Sequence, residues 1–329
     1  MMQLMRPAKR LAAFALAGML VAGCELQDPA QPGNLVPKTV DDDPSLPALT
    51  LSSTKLYYQT FGDPSKKPVI VLHGGPGADF RLMLSLMRRV NGYSLADDYF
   101  FVFYDQRGAG QSRRHGKEEL NTGLMLKDLE EIVDRYSPNG PVALLGHSWG
   151  GTHAMQYLNT HPSRVKAAIL MEPDGAKGTF NKEVGGTDVG GPNFTDIQNI
   201  AWTRGVLTGK NHELADYQVR VVFIREQQRF ETPFARSGFL SIYYVNLNEL
   251  SNNTYDFSQR LHEFTGKALF LQGDKSVISR DFQQKYNFQF FPNRAVYTFP
   301  DCDHSEMFTN PQNVPVLINQ VKTFLHENY

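Results

Sequence analysis

Two hydrophobic rhythms alternate along most of this chain. Short apolar runs with few polar interruptions recur at Val69 to Leu72, Tyr99 to Tyr104, Val142 to Leu145, Val165 to Met171 and Lys267 to Leu271. Such runs suit strands buried on both sides of a parallel sheet, where helices cover each face. Leu56 to Thr60 adds a strand before the Gly62-Asp63-Pro64 break, and Arg294 to Phe299 adds one near the end. Between them apolar positions recur at helical spacing. These are Phe80 to Val90, then Met125, Leu129, Ile132, Val133 and Tyr136 (stopped before Pro138-Asn139-Gly140), then Thr152 to Tyr157, and finally Leu317, Val321, Phe324 and Leu325. Strands alternating with helices of this length predict an α/β fold built on a mostly parallel sheet with right-handed crossovers.

The alternation lapses between Asp174 and Phe264. Glycine pairs (Gly185-Gly186, Gly190-Gly191) and helix-like pieces (Leu214 to Phe223, Phe239 to Leu250) stand there instead. This predicts a mainly helical cap inserted at 175–264 into a core formed by 48–174 and 265–329. Upstream, 24–47 is rich in Asp, Pro, Gln and Gly, with aspartates at 41 to 43, and reads as a flexible tether.

Residues 1–23 stand apart. Arg6, Lys9 and Arg10 precede an apolar run from Leu11 to Val21 that is too short to span a bilayer, the pattern of an export signal. It ends in Val21-Ala22-Gly23-Cys24, which resembles the lipobox of bacterial lipoproteins. The resemblance implies cleavage before Cys24, lipidation of that cysteine and anchoring to a membrane surface without spanning it. Glu25, rather than aspartate, after Cys24 favours the outer membrane, with the protein facing the periplasm. Cys302 is the other cysteine, so lipidation of Cys24 leaves no intrachain disulfide. The formal net charge of −1 provides no electrostatic footprint for a nucleic-acid partner.

The chemistry gathers where strands end. Val142 to Leu145 leads through Gly146-His147-Ser148-Trp149-Gly150 into the amphipathic stretch that follows. A strand reversing sharply into a helix leaves no room for side chains beside the turn, which the glycines satisfy. Ser148 is thereby exposed at the tip of a nucleophile elbow, with the Trp149 N–H beside it. The other strands end in His73-Gly74-Gly75-Pro76-Gly77, in Asp105-Gln106-Arg107-Gly108, at Glu172, and in the segments after Leu271 and Phe299. Ligands of open parallel sheets bind at these carboxyl ends. Asp105 and Arg107 are expected to pair and brace their loop, and His73 to be structural.

From Leu49 onward the chain resembles the α/β-hydrolase superfamily. His73 to Gly77, Asp105-Gln106-Arg107-Gly108-x-Gly110-x-Ser112 and Gly146-x-Ser148-Trp149-Gly150-Gly151 look like its proline iminopeptidase, peptidase S33-like branch. The resemblance implies a serine hydrolase with Ser148 as nucleophile. The oxyanion hole would come from the backbone N–H groups of Gly75 and Trp149, and the base from His304, the histidine after the last strand. No metal or organic cofactor is implied. The triad acid departs from the pattern, because Gly273-Asp274-Lys275-Ser276 places serine where the superfamily commonly has aspartate. Glu172, ending the neighbouring strand about 4.8 Å away, is the preferred substitute, and Asp274 is the alternative.

The substrate expected is a small molecule or short peptide, in the most specific form one releasing N-terminal proline. A small ester, amide or lactone beneath a cap lined by Phe234, Phe239, Tyr243 and Tyr244 is the alternative. Glu213, Glu226, Glu231 and Glu249 do not match the branch's amine-binding cap pattern. A non-catalytic, surface-tethered binding protein on a hydrolase scaffold is the reading from another class.

Overall fold

The apolar runs pair side by side. In the computed structural model, which describes residues 36–178, 216, 236, 238 and 255–329, they form one sheet of eight strands. These are β1 (Ala48–Thr50), β2 (Lys55–Phe61), β3 (Pro68–Leu72), β4 (Phe100–Tyr104), β5 (Val142–His147), β6 (Val165–Met171), β7 (Lys267–Gly273) and β8 (Arg294–Phe299). Their order is β1-β2-β4-β3-β5-β6-β7-β8. The β1–β2 and β2–β4 pairings are antiparallel, and every pairing from β4 through β8 is parallel.

Successive strand side chains point to opposite faces, so each central strand serves two cores. Val69, Val71, Phe101, Phe103, Leu145, Ile169 and Leu271 pack with Leu317, Val321, Phe324 and Leu325 of α5 (Asn313–Asn328). Ile70, Leu72, Val102, Leu144, Leu170 and Phe270 pack on the other side. Their partners there are Leu129, Ile132 and Val133 of α1 (Thr122–Tyr136), and Met155 and Leu158 of α2 (Trp149–Thr160). Two shorter helices, α3 (Arg280–Tyr286) and α4 (Glu306–Thr309), follow β7 and β8. The α/β class with helices on both faces is therefore as expected.

Three local expectations change. The stretch expected as a helix over Phe80 to Val90 is a 3₁₀ segment, Phe80–Met87, whose N-terminus is capped by Asp79. The second half of the expected tether is not free: Val36 and Val40 are buried, Val40 N–H donates to Gln111 O at 2.9 Å, and Asp41 pairs with Arg113 at 2.7 Å. Bulk composition averaged those few apolar residues away. The core also reaches further on both sides of the insertion. Ala176, Leu261 and Phe264 join the core, and Lys177 bridges to Asp256 in antiparallel fashion. Apart from Asp216, Arg236, Gly238 and the flanks up to 178 and from 255, the expected cap lies outside the described residues, including Phe234, Phe239, Tyr243, Tyr244, Glu213, Glu226, Glu231 and Glu249. So does the whole of 1–35 with Cys24. No helix among the described residues is long and apolar enough to cross a membrane.

Candidate active site

The loops after β3 through β8 meet at one edge of the sheet, and the elbow is at their centre. Ser148 has φ 54° and ψ −126° and is the N-cap residue of α2. Its backbone is fastened on both sides, since its N–H donates to Met171 O and its carbonyl accepts from Gly151 N–H, each at 2.8 Å. The glycines are demanded by contact: a Cβ on Gly146 would lie 2.3 Å from Gly150 O, and one on Gly150 would lie 2.1 Å from Leu72 O. A serine at an N-cap ordinarily uses its hydroxyl to cap the helix. Ser148 does not, and its Oγ makes no hydrogen bond among the described residues.

Glu172, immediately after β6, also has a left-handed backbone, with φ 45°. Its N–H donates to Leu271 O at 3.0 Å, and its side chain is fully buried. Three donors hold the carboxylate. Gly273 N–H reaches Oε1 at 2.5 Å, Ser276 Oγ reaches Oε2 at 2.8 Å, and His304 Nδ1 also binds Oε2. Asp274, the alternative acid, is exposed and turned away, accepting from Cys302 N–H at 3.3 Å. The structure thus places Glu172, and not Asp274, against His304.

Burial opposes a charge on His304, but the hydrogen bond and negative charge of Glu172 outweigh it, helped by Asp174 and Asp303. The imidazolium is held above its ordinary pKa of 6.5. The loop carrying His304 is stiffened by Asp303, whose carboxylate accepts from the N–H groups of Ser305 and Glu306 at 2.8 and 2.9 Å. His147, within the elbow motif, packs its ring 4.6 Å from that of His304, and its Nε2 contacts His304 O at 2.9 Å. A carbonyl only accepts, so His147 Nε2 carries the proton. Burial, followed by the adjacent His304, pushes its pKa well down, and the ring stays neutral. The donor atoms of His147, Glu172 and His304 lie within 4.8 Å of one another. His304 Nδ1 is engaged by Glu172 and His147 Nε2 by a carbonyl, so this set is organised for proton handling.

Opposite them lies the glycine loop after β3. Gly74 packs so closely on the elbow that a Cβ there would stand 3.1 Å from Ser148 Cβ, and Gly75 has φ 123°. A polar chain links this loop to the elbow. Trp149 Nε1–H donates to Gln106 Oε1 at 3.0 Å, and the Gln106 side-chain amide donates to His73 O at 2.8 Å. Gln106 backbone N–H donates to His73 Nε2 at 2.9 Å, leaving the His73 proton on Nδ1, which faces Gly74 O at 2.8 Å. Burial lowers the His73 pKa to about 4, so it is a neutral brace, in keeping with a structural role.

The expected Asp105–Arg107 pair does not form. Arg107 instead makes a bidentate pair with Asp128 of α1, at 2.9 and 2.6 Å, and bonds Ser53 Oγ. Asp105 accepts from the backbone N–H groups of Phe80 and Gln111 at 3.1 and 2.7 Å. Burial, with Asp79 nearby, raises its pKa well above the usual carboxylate value. Arg107 found its partner across the fold, and helical periodicity alone did not mark Asp128 as that partner. Sequence reasoning also missed the insertion's grip on the glycine loop. Gly238 N–H donates to Gly77 O at 2.8 Å, Arg236 N–H donates to Asp79, and Asp216 joins Arg236 and Arg114 at 2.8 and 2.9 Å. The Arg and Asp residues involved carry no local pattern that would have identified them.

Comparison with known proteins gives one family match, described as alpha/beta hydrolase fold, over residues 67–311. A proline iminopeptidase of Xylella fastidiosa (strain Temecula1) is 36% identical over 124 residues, covering 36% of each chain. One from Neisseria meningitidis serogroup B is 36% identical over 117 residues, covering 35% of this chain and 36% of the other. The chain therefore aligns with about a third of the length of these relatives. The crystal structure of proline iminopeptidase from Mycobacterium smegmatis superposes with a TM-score of 0.59 at 17% identity, covering 86% of this chain and 98% of that one. That last likeness is one of fold.

Proposed function

The chain belongs to the alpha/beta hydrolase fold family, and from that premise we propose that it is a serine hydrolase acting on an amide or ester carbonyl through an acyl-enzyme. Release of N-terminal proline is its most specific form. The observation that carries this reading is the His304 Nδ1 bond to buried Glu172, facing an elbow serine whose Oγ is not spent on capping. The similarity to proline iminopeptidases supports the aminopeptidase form.

The roles follow from the geometry. Glu172 accepts the Nδ1–H of His304, fixing the tautomer in which Nε2 has a free lone pair. His304 Nε2 takes the Ser148 proton as Oγ attacks the carbonyl carbon. The negative charge that develops on the carbonyl oxygen is met by the N–H of Trp149, at the positive end of α2, and by that of Gly75. As the intermediate collapses, His304 returns the proton to the departing amine or alcohol, leaving the acyl group on Ser148. A water, deprotonated by His304, then releases the acid. Catalytic hydrogen bonds to a nucleophile are often absent before substrate binds, consistent with the unengaged Ser148 Oγ.

The accompanying proposal for location is export and anchoring through a lipidated Cys24. The substrate form is tested with proline p-nitroanilide against p-nitrophenyl esters of short acids, using Ser148→Ala as the blank. Preferred turnover of the prolyl amide supports the aminopeptidase reading. Turnover of the esters alone supports the small-ester reading. If neither is turned over by well-folded protein, the binding-protein reading takes its place.

A further inference from the structure

We propose that His147, the residue before the elbow serine, is a positioning residue that fixes the base by donating its Nε2–H to the main-chain carbonyl of His304. This rests on the hydrolase reading above. The need for such a brace follows from the order of the strands. Ser148 leaves β5 in the middle of the sheet, whereas His304 follows β8 at its end, with β6 and β7 between them. The intervening loops are each stitched to the next strand by a backbone bond: Ser148 N–H to Met171 O, Glu172 N–H to Leu271 O and Asp274 N–H to Phe299 O. β8 ends the described sheet, so the loop that carries His304 has no such neighbour, and most of β8 itself is only half-buried.

His147 supplies the missing tie. Its Nε2 stands 2.9 Å from His304 O, and its ring lies 4.6 Å from the His304 ring at an interplanar angle of 35°. The His147 ring is itself held edge-on by Phe308 of α4, 4.9 Å away. Towards the glycine loop, a Cβ on Gly74 would stand 3.4 Å from His147 Nδ1. One side chain of the elbow thus adjoins both the base loop and the glycine loop. His304 is held at two points, its Nδ1 by Glu172 and its carbonyl by His147. With both fixed and one ring face covered, the orientation of the remaining nitrogen, Nε2, is set.

The donor suits its neighbour. His304 becomes an imidazolium each time it takes the Ser148 proton. A permanently charged donor at position 147 would oppose that charge at close range. His147 is buried and neutral, so it offers a hydrogen bond without a competing charge. Glutamine keeps a neutral N–H donor at similar reach, whereas phenylalanine keeps the ring and loses the donor.

The test uses the full chain. NMR of isotopically labelled histidine nitrogens in the wild type should show His147 neutral across the pH range of activity, with its proton on Nε2 and protected from exchange. A proton on Nδ1, or a charged ring, overturns the proposal whatever the variants do. Steady-state kinetics on whichever ester or prolyl amide the wild type cleaves then compares His147→Phe with His147→Gln, with circular dichroism and thermal melting to confirm folding. A misplacement of about 1 Å at a catalytic group costs up to about a hundredfold, so His147→Phe should lose about ten- to a hundredfold in kcat with KM little changed. His147→Gln should exceed it by at least about fivefold, the worth of one neutral hydrogen bond. The Nδ1 proton that His304 shares with Glu172 should exchange with water faster in His147→Phe than in wild type. A purely structural ring gives the reverse order, with His147→Phe keeping the wild-type kcat, and that result overturns the proposal. So does a folded His147→Gln no better than His147→Phe. A wild type that cleaves no substrate and is not labelled on Ser148 removes the hydrolase reading itself, and is told apart because the His147 tautomer is read without turnover.

Discussion

Replacing Glu172 by glutamine changes one atom and reverses the logic of the site. The carboxylate now takes three donors, from Gly273 N–H, Ser276 Oγ and His304 Nδ1. Glutamine offers only one acceptor oxygen. Gly273 N–H cannot turn round, so the amide oxygen must face it, and the NH₂ group then faces Ser276 and His304. Ser276 can rotate its hydroxyl, but His304 can adapt only by becoming an acceptor at Nδ1, which moves its proton to Nε2. That is the nitrogen that must take the Ser148 proton. In the template triad the same wrong tautomer lowers turnover by about 10⁴, or about 5.5 kcal/mol of barrier. Steady-state kinetics on whichever ester or prolyl amide the wild type cleaves should show a fall in kcat of that order with KM little changed. Asp274→Asn should retain most activity, because Asp274 is exposed and, among the described residues, its side chain holds only Cys302 N–H. A Glu172→Gln enzyme within about tenfold of wild type, or an Asp274→Asn enzyme more damaged than it, would refute the reasoning.

Because Glu172 holds the His304 imidazolium above its ordinary 6.5 against the effect of burial, kcat/KM should rise with pH along a limb whose midpoint lies above 6.5. Glu172→Gln should displace the residual limb downward. The same raised pKa gives the folded state a stabilising contribution that is complete below the unfolded value and lost as pH rises through the folded one, which pH-dependent urea melts would register. The Arg107–Asp128 pair is buried, with side chains 0% and 3% exposed, so Asp128→Ala removes the counter-charge of a buried guanidinium. Urea unfolding should show a loss of about 3–5 kcal/mol, and a loss under about 1 kcal/mol would mean that Arg107 finds other compensation. Cys24→Ser should move the protein from the membrane fraction of an expressing bacterium to the soluble exported fraction, and unchanged membrane association would count against the lipid anchor.

How much of this could be read from sequence depended on the range of each interaction. The strands were legible because residues such as Val69 to Leu72 and Phe100 to Tyr104 are buried on both faces, a local and unambiguous pattern. The elbow was legible because its glycines answer a steric demand within five residues, as the Gly146–Gly150 contact shows. The contact of Glu172 with His304 could be anticipated because β6 and β7 are neighbours and a glutamate can reach across. The supporting donors were not visible: Ser276 registered only as an absent aspartate, when it is in fact a hydrogen-bond partner of the relocated carboxylate. Arg107 found Asp128 rather than Asp105 because partner choice was decided by how α1 packs on the sheet, which sequence spacing does not encode. Val40, one valine among aspartates and prolines, was likewise hidden by the composition of its neighbours while the packed core gave it a place.

The central claim is that Ser148 is a nucleophile activated by His304. It is tested most directly by incubating the folded full chain with a fluorophosphonate and locating the adduct by peptide mass spectrometry. The account predicts a single covalent adduct on Ser148, formed with loss of activity, and absent from both Ser148→Ala and His304→Ala proteins. Folded wild-type protein that remains unlabelled, or an adduct on any other residue, would contradict it.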